Sequence, residues 1–195
     1  MRAGAVAAHD ALMEPVIAAA AQRRFVLGIC NGAQILAEAG LIPGTGASRR
    51  PTAAFAPNAS RRFRSVHVHV RLDIAPERLP ILAGIAAGAV IPAWASHGDG
   101  RLAAPDDELQ RIVRDGHLAF RYCTSEGAPA LAPNGSALDC AALTNRTGTV
   151  LGIMPHPERD AWGFQHVDDR HPNLAPSGGI QVFRHFAAAV MGRAA

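Results

Sequence analysis

Val26-Leu27-Gly28-Ile29-Cys30-Asn31-Gly32 is the stretch on which the reading of this chain turns. Phe25 to Ile29 is a short, continuous apolar run, the pattern of a buried parallel strand. Asn31 to Ala39 follows as a helix, with Ile35 and Leu36 inward, Gly40 as its stop and Pro43 beyond. Cys30 therefore falls on a strand-to-helix turn of the form G-x-C-x-G, the thiol counterpart of the G-x-S-x-G nucleophile elbow. A nucleophile held in a strained backbone conformation leaves no room for bulk at Gly28 and Gly32. The free N–H groups of a helix N-terminus favour a thiolate, and that of Asn31 is placed to stabilise an oxyanion.

A thiol nucleophile needs a base. Thr149 to Met154 reads as another strand, and Met154-Pro155-His156-Pro157-Glu158-Arg159 follows it directly. His156 then lies at a strand's C-terminal end, where open α/β sheets carry their sites. Pro157 biases His156 toward extended backbone, and in an extended segment residues two apart face the same way, so Glu158 can orient the imidazole. Cys30, His156 and Glu158 make a nucleophile, a base and an orienting carboxylate.

Outward from these two motifs the chain alternates strands and helices. Gly4 to Gln22 has helical composition, delayed or kinked by Pro15. Pro51 to Arg62 reads as loop, and Phe63 to Asp73 as a half-buried strand with Val66, Val68, Val70 and Leu72 on one face. Ala89 to Ala95 and His117 to Cys123 read as strands, and Asp106 to Arg114 as a helix opened by Pro105. Ile180 to Met191 closes as an amphipathic helix offering Ile180, Val182, Phe183, Phe186 and Val190 to the core. The organisation is one α/β domain with no linker and no repeat.

Composition narrows the function classes. All 19 basic residues are arginine, which removes a Schiff-base lysine and a P-loop of the GxxxxGK[ST] form. A net charge of +3 does not argue for nucleic acid, and Arg49, Arg50, Arg61, Arg62 and Arg64 read as solvated surface. Three cysteines without a CxxC pair fit a reducing compartment and no structural zinc, with Cys123 and Cys140 structural. The uncharged run Leu79 to Ser96 is broken by Pro80, Gly84, Gly88 and Pro92, and so reads as a turn and a strand rather than a membrane span. No targeting segment is visible, and a cytoplasmic location is expected. His67 and His69 share a strand face, but no acidic or cysteine partner lies nearby in sequence. They read as solvent-facing, and no metal is expected. His97 can line the site or serve a turn, and Asp106, Asp107 and Glu108 complement a helix dipole.

With these residues in hand, the chain resembles the triad-type (class I) glutamine amidotransferases, and among them the glutaminase subunits of phosphoribosylformylglycinamidine synthase. The stretches that carry the resemblance are Gly28 to Leu36, Glu38 to Gly44, Asn58 to Phe63, Ser96 to Gly100, Phe120 to Tyr122, Pro133 to Ser136, Leu143 to Asn145 and Met154 to Arg159, in order along the chain. It implies an α/β, flavodoxin-like three-layer fold with a mostly parallel central sheet. It also implies glutamine hydrolysis at Cys30 with His156 and Glu158, an oxyanion N–H at Asn31, and glutamine contacts from Gln34, Asn58 and Ser60. No cofactor is implied for this subunit; ATP and magnesium would be used by a partner synthase subunit, with a small accessory subunit completing the complex. Family members carry strands and a P-G-G loop ahead of a segment like Arg2 to Ala8, so the resemblance implies a single domain, residues 1–195, that lacks its N-terminal strands. Ala33 stands where the family has bulkier residues, and Asp99 where glutamate is usual. The elbow alone also fits another thiol hydrolase, another class I amidotransferase or an inactive remnant.

Overall fold

The computed structural model describes residue 8, residues 10–166 and residues 175–192. Eight strands occur in chain order: β1 Val26–Ile29, β2 Ala54–Ala56, β3 Arg64–Leu72, β4 Val90–His97, β5 Arg101–Ala103, β6 Leu118–Cys123, β7 Cys140–Thr144 and β8 Val150–Ile153. The α-helices are α1 Glu14–Ala21, α2 Asn31–Glu38, α3 Asp106–Arg114 and α4 Ile180–Val190. Pro15 sits in the first turn of α1, where its missing N–H costs nothing. The part of the expected opening helix at residues 4–7, like the segment Arg2 to Ala7, lies outside the described residues.

Six strands form one sheet in the order β1-β8-β7-β6-β3-β4, and β2 pairs with β5 in a small second sheet. The expectation of a mostly parallel sheet is corrected. Only β1 and β8 run parallel, and the four other pairings of the large sheet are antiparallel. For β7 and β8 the reason lies in the connection: a parallel neighbour needs a crossover of a dozen residues or so, whereas residues 145–149 join these two strands by a tight turn. Asn145 builds that turn, its Oδ1 accepting from the N–H groups of Thr149 and Val150 at 3.0 and 3.1 Å. Strands β2, β5 and β7 are also additions to the sequence reading. They are three to five residues long, and β2 lies inside the segment read as loop.

The sheet residues divide between two hydrophobic clusters. One packs α2 through Ala33, Leu36 and Ala37, α3 through Ile112, the turn before α1 through Met13, and α1 itself through the half-buried Val16, Ile17 and Ala20. The other packs α4 and two short helical turns through Val182, Phe183, Phe186, Leu79, Ile81 and Leu82. Val190, expected in the core, is exposed because it falls in the last turn of α4, past the stripe that meets the sheet. Proline 92 is tolerated within β4 because that strand is the edge of the sheet. No described helix is long and apolar enough to cross a membrane.

Candidate active site

Cys30 occupies the N-cap of α2 with φ 51° and ψ −104°, a region that L-residues enter only under constraint, at a cost on the order of 1–3 kcal/mol. The constraint is built from glycines. Gly28 of β1 pairs in register with Gly152 of β8, and the two make a bare floor beneath α2. A Cβ on Gly28 would stand 2.7 Å from the Gly32 carbonyl carbon, and one on Gly152 would stand 2.3 Å from Ile42 and 3.2 Å from Ala33. The fully buried Ala33 is therefore as large as the floor permits. Gly32 is different: a Cβ there meets nothing within 4 Å, so the expected collision arises at Gly28, against the Gly32 backbone. As first residue of the helix, Asn31 has no partner four residues back for its N–H, which leaves it free to face an anion beside Cys30.

The general base arrives from β8. His156 has the extended backbone expected before Pro157, φ −103° and ψ 91°. It is locked to the sheet edge by two backbone bonds with Trp94, at 2.8 and 3.2 Å. The chain then closes a 3-10 turn, Pro157–Asp160, so Glu158 reaches the imidazole from a turn rather than from an extended strand. His156 Nδ1 and Glu158 Oε1 lie 2.5 Å apart. With Nδ1 taken, only Nε2 is left for the Cys30 thiol, which is the first cause of a histidine pKa pushed up to about 9; Glu158 adds to it and burial opposes it. Nε2 meets no hydrogen-bond geometry in this resting arrangement, as is common before a substrate tightens such a site. Glu158 is 41% exposed, and although burial works upward on its carboxyl, the His156 bond and charge bring it below the usual range. Gln165 braces the turn from behind, accepting from the N–H groups of Ala161 and Trp162 and donating to Glu158 O.

A second histidine lines the same region in the opposite electrostatic state. His97 ends β4, next to Ser96, whose carbonyl lies 4.0 Å from Cys30 Sγ. Asn134 takes the Ser136 N–H on its Oδ1 and donates from Nδ2 to Gly100 O at 2.8 Å, which fixes its amide orientation. The same Nδ2, 3.0 Å from His97 Nε2, must donate to it, so the ring proton sits on Nδ1. That Nδ1 is buried and has no partner among the described residues. Burial, then the charge of His156, push the His97 pKa down to about 4, with Asp99 partly opposing.

The remaining residues singled out from sequence hold the loops around the site. Asn58 is buried and donates to Arg62 O and His97 O at 2.9 and 2.8 Å while accepting from Gly100 N at 3.2 Å. Gln34 donates to Asp99 O, tying α2 to the loop after β4. Ser60 is exposed and accepts from Arg62 N at 3.4 Å. Cys123 and Cys140 are buried, and burial pushes both thiols up. His67 does not face solvent as expected. Its Nε2 lies 2.6 Å from Oδ2 of the fully buried Asp160, an acid supplied from 93 residues away. His69 meets His67 edge to face. Burial works upward on the Asp160 carboxyl, but bonds from Ser177, His67 and His166 outweigh it and hold the group below its ordinary range.

A nucleophile elbow after β1 thus stands beside a histidine–carboxylate turn after its parallel partner β8. The CobB/CobQ-like glutamine amidotransferase domain matches residues 2–188. The chain belongs to that family. The chain is similar to the phosphoribosylformylglycinamidine synthase subunit PurQ of Symbiobacterium thermophilum, 44% identical over 161 residues that cover 82% of this chain and 64% of that protein. The PurQ subunit of Aquifex aeolicus is 37% identical over 161 residues, covering 82% of this chain and 66% of that one. A solved structure of PurLQS from Thermotoga maritima aligns with a TM-score of 0.70 and 28% identity, over 96% of this amidotransferase chain and 72% of that chain. The chain thus spans about two thirds of the length of these curated relatives. The family confirms the α/β amidotransferase fold read from the sequence, with the mixed sheet described above.

Proposed function

We propose that this amidotransferase domain, residues 1–195, is the glutaminase part of a phosphoribosylformylglycinamidine synthase. In this reading it releases ammonia from glutamine for the ATP-dependent conversion of formylglycinamide ribonucleotide to its amidine by a partner synthase subunit. The observation that carries the reading is the strained Cys30 on its glycine floor, beside an imidazole whose other nitrogen is 2.5 Å from Glu158. The similarity to PurQ subunits supports the choice of reaction. The similarity to a PurLQS structure supports a synthase subunit and a small accessory subunit as partners. ATP and magnesium chemistry belongs to the synthase subunit, in keeping with a lysine-free chain that has no phosphate loop.

In the first half-reaction Cys30 Sγ attacks the side-chain amide carbon of glutamine, and the developing oxyanion is met by the Asn31 N–H. A histidine pushed up to about 9 carries its proton at neutral pH, so His156 Nε2–H delivers it to the departing amine as the C–N bond breaks. The now neutral imidazole accepts a proton from water, which attacks the γ-glutamyl thioester and releases glutamate and the free thiolate. Glu158 holds the ring's orientation and balances its charge in both halves. Gln34 and Asn58 act here as positioning residues for the Gly98–Gly100 loop, and the exposed Ser60 is a rim contact for substrate. The test is glutamate release from glutamine by the full-length protein with its partner subunits. Cys30→Ala is expected to reduce it by about 10³-fold or more, and unchanged release would refute the assignment.

A further inference from the structure

The cluster around Asp160 has no part in the chemistry above, yet it brings three metal-ligating side chains to one point. His67 comes from the middle of β3, Asp160 ends the Pro157–Asp160 turn, and His166 follows the short turn Gly163–Gln165. Asp160 Oδ2 lies 2.6 Å from His67 Nε2 and 2.9 Å from His166 Nδ1. All three ligand atoms fall within 4.8 Å of one another. The rings of His67 and His166 are 5.1 Å apart at 88°, so their nitrogens converge on the carboxylate from two directions. The side chain of Asp160 is 0% exposed, that of His67 11% and that of His166 28%.

We propose that His67, Asp160 and His166 form a binding site for a first-row divalent transition-metal ion, separate from the Cys30 centre. Two imidazoles and one carboxylate are the donor set of zinc, cobalt and nickel rather than of magnesium or calcium, which take oxygen ligands. Ligands at roughly 2.0–2.2 Å from a tetrahedral ion stand about 3.3 Å from each other, so the two contacts to Asp160 would open by about half an ångström around an ion. The ion is taken by His67 Nε2 and His166 Nδ1 as neutral imidazoles, each of which leaves its other ring nitrogen to carry the proton. The second oxygen of Asp160 is already held by Ser177 Oγ at 2.5 Å, the outer-shell bond that orients a metal-bound carboxylate. Against the edge of His67 stands Trp94, 5.6 Å away, which limits how far that ring can swing.

The position gives the ion a consequence. Asp160 closes the same turn that presents Glu158, and His166 directly follows Gln165, which braces that turn. An ion joining them ties β3 to the segment that orients His156.

The deciding experiment is a cobalt(II) titration of the full-length protein carrying Cys30→Ser, so that the thiol cannot supply a competing soft site. One equivalent is expected to bind with visible d–d bands of a low-coordinate N/O site, and zinc is expected to displace it. His67→Gln and His166→Gln, each in the same background, are expected to weaken binding by about 100-fold or more. His166 is partly exposed, so its variant keeps the fold and can be checked by circular dichroism. Zinc is expected to raise the thermal midpoint of the Cys30→Ser protein and leave that of the double variants unmoved. No saturable binding, or binding that survives both histidine substitutions, overturns the proposal. None of these readouts depends on glutamine turnover.

Discussion

Two loops bring a histidine to the candidate centre, and they treat it in opposite ways. The turn after β8 gives His156 a carboxylate on one nitrogen and a thiol beside the other, and its pKa rises to about 9. The loop after β4 buries His97, gives it only the amide of Asn134, and its pKa falls to about 4. Each shift has a different leading cause: a thiol partner in the first case and desolvation in the second. The pair is also coupled, since the charge on His156 helps to keep His97 neutral. One residue type is thereby made a proton carrier in one loop and a neutral strut in the other. The proton carrier is the more exposed of the two regions, in keeping with a group that must meet substrate, while the strut is walled in by backbone.

The contrast can be broken at its strongest point first. Cys30→Ala removes the nucleophile and the leading cause of the raised His156 pKa at once, so the expected loss of glutamine turnover of about 10³-fold should be accompanied by a fall of that pKa toward 6.5. Histidine titration by NMR checks the second outcome without any turnover. Asn134→Ala attacks the other loop. It strips donors from Gly100 O and His97 Nε2 and an acceptor from Ser136 N, all buried, and should cost about 2–4 kcal/mol in urea unfolding.

The pH dependences have opposite signs. His156 is raised, so its contribution to stability is full below pH 6.5 and is lost as the pH climbs through about 9. Glu158→Gln should draw that loss to lower pH, measured by thermal unfolding across the alkaline range. His97 is depressed, so its contribution is present above pH 6.5 and is lost as the pH falls through about 4. His97→Gln should flatten the acid limb relative to the wild type in the same measurement. The smallest effect belongs to Ser60→Ala on the exposed rim, expected within about 0.5 kcal/mol of wild-type stability.

What could be read in the sequence was local. The Gly28 and Cys30 pattern, the prolines on both sides of His156 and the spacing to Glu158 each act within a few residues, and the resulting elbow and histidine–carboxylate pair are present. The strand direction was not legible from β1 alone, because a short apolar run is compatible with parallel and antiparallel neighbours. For β7 and β8 the deciding information was their five-residue connection, which admits only a reversal. Asn134 stood in a stretch noticed for its resemblance, but nothing in Pro133-Asn134-Gly135-Ser136 reveals that its amide will meet a histidine 37 residues earlier. The partner of His67 is hidden from the sequence in the same way: its acid lies 93 residues downstream, and no pattern along one strand can register it.

The sequence by itself determined the two motifs and their chemistry, since a glycine-flanked cysteine between strand and helix and a histidine followed two residues later by a glutamate are decided by short-range sterics and backbone bias. Only the tertiary structure decided which histidine carries the proton, which way most of the strands run, and that Asp160 lies between His67 and His166. Those outcomes depend on burial and on charges and hydrogen-bond partners brought together from distant parts of the chain, and these act through space rather than along the backbone.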